Sequence, residues 1–388
     1  MIPVSRRAVL GGLCSCSAAA LAACHPMNAP EGPVAAGFRP TLSSDEGGIW
    51  QVMDKAEADV RTSPFRIRDE ELNAYVKDVV CRLVADHCAD VRVYVTRAPY
   101  FNASAAPNGM IQVWSGLLLR TQNEAQLAAV LGHELGHYLQ RHTLQRLRDM
   151  RDKSSFGAWL TVGFGAAGSL AGLAMLATTF SFSRDQEREA DRIGLELMTK
   201  AGYRPMEVPR MWENLIAEQK SDPEHQERDV FFKTHPSPEE RAATLTRLAE
   251  AAGPTGEISG DRYHQHLKSL RGSLLEDELR LRQYPRTLVV LQEIVAAAGD
   301  DGEIAYFTGE VYRLRGSDGD AKRAREAYDR AVALGGYPPE LYRSLGLMQL
   351  KAGERQQAEK SLGQYLQLRP DASDRAMIQS YLKPQGTS

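Results

Sequence analysis

The pentapeptide His133-Glu134-Leu135-Gly136-His137 constrains this chain more than any other feature. It sits in a stretch of helical periodicity that Asn123 and Glu124 open and that is predicted to run to about Met150. Residues four apart on a helix share a face, one turn apart, so both imidazoles can reach one Zn²⁺ at about 2.0–2.1 Å. Glu134 lies beside them, placed to act on water at the same ion. Taken alone, the pattern is also met by a helix that happens to carry two histidines.

A structural zinc site needs four protein ligands, whereas a catalytic one keeps three and an open position. The third candidate lies in Ser183-Arg-Asp-Gln-Glu187-Arg-Glu189-Ala190-Asp191, the start of a helix predicted over Ser183–Ala201. Gly202 and Pro205 form its stop signal. Glu187 and Asp191 share one face, so one carboxylate can bind the ion. The other can accept the free N–H of a ligating imidazole and fix its tautomer. Glu189 lies about 200° round the helix from Glu187 and is not expected to bind the same ion. A solvated acidic face is the usual fate of such a run; its pairing with the histidine motif argues otherwise.

The remainder of the chain sets the context. Its 47 Lys and Arg are interspersed with 50 Asp and Glu, which excludes a disordered chain and a polybasic nucleic-acid binder. Residues 1–23 read as a signal peptide, with Arg6 and Arg7 before an uncharged small-residue stretch and a loose likeness to a twin-arginine signal. Leu21-Ala22-Ala23-Cys24 resembles a bacterial lipobox, with Cys24 the residue to be acylated, and residues 24–45 form a flexible tether. Such a compartment favours a disulfide between Cys81 and Cys88. On an unbroken helix they would be about 10 Å apart, but the helical pattern Glu70–Asp86 stops before His87, so a turn could join them.

Strands are predicted at 91–95 and 110–114, around a small-residue turn segment. Met110-Ile111-Gln112-Val113-Trp114 is expected to offer an edge to which an extended substrate adds as another strand. Phe156–Phe180 is 25 residues without a charge. A single membrane crossing there would separate His137 from Glu187, and a double crossing needs about 40 apolar residues. It is therefore expected to be a helical lid or membrane-facing loop. After residue 274 helices pair repetitively. Leu345-Gly346, Ala358 and Pro370 fit a 34-residue frame, Gly309 precedes Gly346 by 37, and Ala324, Tyr328 and Ala331 repeat the second-helix pattern. This resembles a tetratricopeptide repeat. The expected fold is mostly α with a small β-sheet (α+β): a zincin-type metalloprotease domain over 46–252, a linker over 253–262, and a short tetratricopeptide-like solenoid over 263–388.

The HELGH motif, Glu187-x-x-x-Asp191 and Ala201-Gly202-Tyr203-x-Pro205 together resemble metallopeptidase family 48, a gluzincin group. Asn102-Ala103, Pro107-x-Gly109 and Ser115-Gly-Leu-Leu118 resemble its strand and loop, so the likeness covers roughly residues 46–250. A lipobox in front and repeats behind are similar to the branch of that family serving β-barrel assembly. The resemblance implies one zinc per chain on His133, His137 and Glu187, with Glu134 as general base and Asp191 behind the ligands. In Thr234-His235-Pro236, His235 would cap the metal in a closed state or stabilise an oxyanion, and Arg241 would support the site. It further implies a periplasmic zinc endopeptidase, anchored to the outer membrane by its lipid, that cleaves misfolded or stalled envelope proteins. Its partners would be protein substrates in extended conformation, assembly machinery met through the repeats, and the membrane. The alternative is a chaperone or scaffold that binds clients through the repeats and keeps a latent metal site.

Overall fold

The computed structural model describes residues 32–151, 182–223, 231, 235 and 238–382. The signal peptide, Cys24, the start of the tether and the apolar stretch 156–180 lie outside the described residues.

Helix α1 (Asp45–Thr62) is capped by the Ser44 side chain, which accepts from the Gly47 N–H. Asp69 caps α2 (Glu70–Leu83) in the same way through Leu72. The second helix stops at Leu83, and a single turn at Ala85–His87 doubles the chain back. Cys81 and Cys88 consequently close a disulfide with Cα atoms 4.7 Å apart.

Strands β1 (Arg92–Thr96), β2 (Ala103–Ala105) and β3 (Met110–Trp114) form one sheet in the order β1-β3-β2. The first pairs parallel to β3 and the second antiparallel to it. Met110–Trp114 is thus the central strand, buried along its length, and both rows of its backbone groups are already paired. The expectation that it offers a free edge is corrected. The turn at Pro107–Gly109 folds β3 back against β2, and the crossover from β1 seals its other side. The edge toward the histidine helix belongs to Ala103–Ala105.

Helix α3 (Ser115–Arg120) leads to α4 (Glu124–Leu139), whose Asn123 cap accepts from Gln126 N–H. The helix expected to continue to Met150 instead breaks at Arg141, whose φ is +59°, and restarts as α5 (His142–Arg151). A non-glycine residue pays about 1–2 kcal/mol for this left-handed conformation. The N-terminal segment holds it there. Arg141 reaches both carboxylate oxygens of Glu46 at 2.8 Å, its guanidinium lies over Phe38, and Val34 N–H donates to Leu139 C=O at 2.8 Å.

Helix α6 (Arg184–Lys200) opens with a reciprocal cap between Ser183 and Gln186. It is followed by α7 (Glu207–Ser221), α8 (Pro238–Ala252) and α9 (Gly260–Leu267). Val76, Val95, Leu127, Leu131, Leu135, Met198 and Trp212 belong to the first core. Tyr263 and Leu267 are buried in that same core, so α9, which spans the expected boundary at 263, packs with the first unit. The helical array proper starts at α10 (Arg271–Arg280) and continues through α11 (Tyr284–Ala298), α12 (Gly302–Arg315), α13 (Asp320–Leu334), α14 (Glu340–Lys351), α15 (Arg355–Leu368) and α16 (Arg375–Leu382). Gly309 leaves room for the Tyr328 ring between α12 and α13, and Gly346 does so for Leu362 between α14 and α15. The repeated glycine is therefore a packing residue. Leu119 belongs to the second core, and buried Arg120 beside it pairs with Glu218 at 2.7 Å and Glu278 at 3.0 Å, tying the units together. No helix among the described residues is long and apolar enough to cross a membrane.

Candidate metal centre

Helix α4 carries the two histidines and α6 the candidate carboxylate, and the helices cross with almost no space between them. A Cβ on Gly194 would stand 2.7 Å from the His133 backbone nitrogen, and one on Gly132 would stand 2.9 Å from the Gly194 carbonyl oxygen. Only small residues at the crossing let the two helices approach this closely, and the approach brings Glu187 to the imidazoles.

The result is a buried cluster of His133, His137, Glu187 and His235, with one ligand atom from each lying within 4.8 Å of all the others. The His133 and His137 Nε2 atoms are 3.1 Å apart. His235 Nδ1 is 3.2 Å from His133 Nε2 and 2.9 Å from Glu187 Oε1. Phe182 stacks on His137 with ring centroids 3.7 Å apart, and Phe231 stacks on His235 at 4.3 Å.

The residues behind this cluster determine which nitrogens face it. A carboxylate can only accept, so Asp191 Oδ1, 2.9 Å from His133 Nδ1, takes that hydrogen and leaves the lone pair on Nε2. Glu189 Oε2 lies 3.2 Å from His142 Nε2, and His142 Nδ1 lies 3.0 Å from His137 Nδ1. With the His142 hydrogen directed at Glu189, its Nδ1 accepts from His137, whose Nε2 then also bears a lone pair. Lone pairs of two imidazoles and a carboxylate converge.

The ionisation states agree with that pattern. Burial pushes His133 and His137 below the ordinary histidine range, with Arg241 adding to the effect at His133. Burial acts to raise the Glu187 carboxyl, but His235 and His137 overcome it and hold the group far below the usual carboxylate range. Asp191 is lowered to about 2, because Arg241 and His133 outweigh its burial. Neutral imidazoles beside an ionised carboxylate are what a divalent cation requires of its ligands. The residues present fit a metal ion.

Glu134 projects into the same space. Its carboxylate accepts the Ala105 N–H from strand β2, while its Oε1 atom is buried without a hydrogen-bond partner, 3.6 Å from His235 Nε2. Burial raises its carboxyl to about 7, with His235 opposing. Arg241 reaches Asp191 at 2.6 Å and Glu187 at 2.9 Å and lies over the Trp212 ring.

The structure therefore brings together six predicted site residues, His133, Glu134, His137, Glu187, Asp191 and His235, with Arg241 alongside. It keeps Met110–Trp114 in the sheet interior. Thr234 and Pro236 lie outside the described residues. His142 escaped the sequence reading because a continuous helix would place it about 140° round from His137. The break at Arg141 brings it back. Its position five residues after the motif was the available signal.

An α+β scaffold with two imidazoles from one helix, a carboxylate from another and a glutamate between them resembles the active site of a gluzincin metallopeptidase. Residues 66–249 match Peptidase family M48, the family to which this segment is similar. It is 29% identical to the β-barrel assembly-enhancing protease of Escherichia coli K12 over 233 residues, covering 56% of this chain and 47% of the relative. A putative β-barrel assembly-enhancing protease of Vibrio cholerae is 30% identical over 273 residues, 65% of this chain and 54% of its own. The mitochondrial metalloendopeptidase OMA1 of Schizosaccharomyces pombe is 31% identical over 195 residues, 49% of this chain and 57% of its own. The chain spans about half the length of the curated relatives it matches.

Proposed function

We propose that this protein is a zinc-dependent endopeptidase acting on extended segments of envelope proteins. The observation that carries the reading is the unpartnered Oε1 of Glu134 beside three converging ligand groups. A purely structural metal site has no use for a buried carboxylate with an oxygen left without a hydrogen bond, which is costly to keep.

His133, His137 and Glu187 would hold the zinc, with His235 as a fourth ligand in a closed form. Zinc supplies a Lewis acid to the scissile carbonyl when bound. Glu134 takes a proton from the attacking water and passes it to the departing amine. Asp191 and Arg241 keep His133 oriented through this exchange.

The substrate chain adds along the outer edge of β2, the edge strand beside Glu134. Pairing of this kind accepts only a segment with free backbone groups, which selects unfolded or stalled chains. The relatives named for β-barrel assembly support an envelope setting. Acylation at Cys24 would tether the protein to the outer membrane on its periplasmic side, and the paired helices α10–α16 would serve as tetratricopeptide-like repeats that engage assembly machinery.

The test offers one outer-membrane barrel protein to the zinc-loaded enzyme, urea-unfolded and then diluted, or prefolded in detergent micelles. Cleavage of the unfolded form alone is expected. Equal cleavage of both forms, or of neither, contradicts the assignment.

A further inference from the structure

Each of the two α4 imidazoles has a carboxylate behind it, one directly and one through a second ring, and both carboxylates come from α6. Asp191 serves His133 directly at 2.9 Å. His137 has no carboxylate on its outer nitrogen; His142 stands there instead, Nδ1 to Nδ1 at 3.0 Å, with its far nitrogen 3.2 Å from Glu189. Glu187 faces the cluster while Glu189 lies on another side of the same helix, so the carboxylate at 189 touches the site only through this second ring.

We infer that His142, oriented by Glu189, is a positioning residue that fixes the tautomer and ring angle of His137. The inference rests on the metal-site reading above. A neutral imidazole has one donor and one acceptor nitrogen. Glu189 accepts from Nε2, so Nδ1 of His142 accepts from His137 and directs its lone pair inward. In the opposite tautomer His137 would present a hydrogen to the ion and could not bind it.

Three features hold the relay in place. His142 is buried, whereas the Glu189 side chain is 42% exposed, so the relay carries the polar partner of a sealed imidazole out to the surface. Phe182 covers the opposite face of His137 and leaves the ring little freedom to tilt. The left-handed Arg141, clamped by Glu46, turns the chain so that His142 faces His137. A regular helix through this point would point the residue away, so the break at Arg141 and the relay are a single device.

Zinc affinity measured by chelator competition, together with the visible spectrum of the Co²⁺-substituted protein, tests this without recourse to turnover. His142→Ala should bind zinc about 10–100-fold more weakly and alter the cobalt bands. His142→Asn, whose side-chain oxygen can accept from His137, should recover much of the affinity; His142→Leu, of similar bulk but with no acceptor, should not. Glu189→Ala should fall between, and Glu196→Ala, on an exposed ion pair of the same helix, should match the parent. The melting temperature of the metal-free proteins reports any purely structural effect, and the asparagine and leucine variants decide the matter if the alanine variant does not fold. Equal zinc affinity and cobalt spectra in the asparagine and leucine variants overturn the inference while leaving the metal site intact. A parent protein that binds no zinc overturns the metal-site reading and this inference together.

Discussion

Gly136 in the histidine helix lies so close to Ala190 of α6 that a Cβ on residue 136 would stand 2.9 Å from the Ala190 Cα. The contact is backbone against backbone, so no flexible side chain can yield. Gly136→Ala should force α4 and α6 apart, move Glu187 away from His137 and destabilise the fold by about 1–3 kcal/mol. Denaturant unfolding of the metal-free protein and a zinc titration measure the two effects. A variant with parental stability and zinc affinity would show that the helix crossing does not set the ligand distance.

His235 presents Nδ1 to Glu187 and His133 at 2.9 and 3.2 Å, in the space an open catalytic site would leave to substrate. His235→Ala should therefore raise the cleavage rate of an unfolded protein while weakening zinc retention. A fall in kcat with unchanged zinc affinity would instead assign this ring to stabilising the oxyanion.

The pH dependence follows from Glu134. Burial raises its carboxyl to about 7 in the metal-free site, and a bound cation lowers it. A general base works as the carboxylate, so activity is present above its pKa and lost as pH falls through it. The acid limb of kcat/KM at saturating zinc should lie below pH 7. His235→Ala, which removes the group opposing that rise, should move the limb to higher pH. A flat profile through the acid range would exclude Glu134 as the base.

The Cys81–Cys88 disulfide closes a short loop at the end of α2. Cross-linking so few residues restricts the unfolded chain only modestly, by about 2.5 kcal/mol in the chain-entropy account. Cys81→Ser/Cys88→Ser should lower unfolding stability by roughly that amount and leave zinc affinity unchanged, because neither cysteine belongs to the metal cluster. Loss of zinc binding in this variant would reveal a coupling between loop and site.

The metal ligands were legible because helical spacing of four fixes a face irrespective of tertiary structure, both in His133 and His137 and in Glu187 and Asp191. Asp191 could be placed behind the ligands for the same reason, although which imidazole it serves could not. Strand order was not legible. The run Met110–Trp114 reads as a strand, but only long-range pairing makes it central and leaves Ala103–Ala105 at the edge. The break at Arg141 was hidden because arginine favours helix, and the Glu46 and Phe38 contacts that impose a left-handed backbone lie about 100 residues earlier. His142 was hidden with it. The glycines at 309 and 346 were visible as a repeat; the burial of α9 in the first core was not.

The most direct test of the central claim is hydrolysis of an unfolded protein by chelator-stripped enzyme as zinc is returned, the parent beside Glu134→Gln. Both proteins should take up one zinc per chain, and only the parent should recover cleavage, saturating at that stoichiometry. Cleavage by the stripped parent, or full cleavage by zinc-loaded Glu134→Gln, would contradict it.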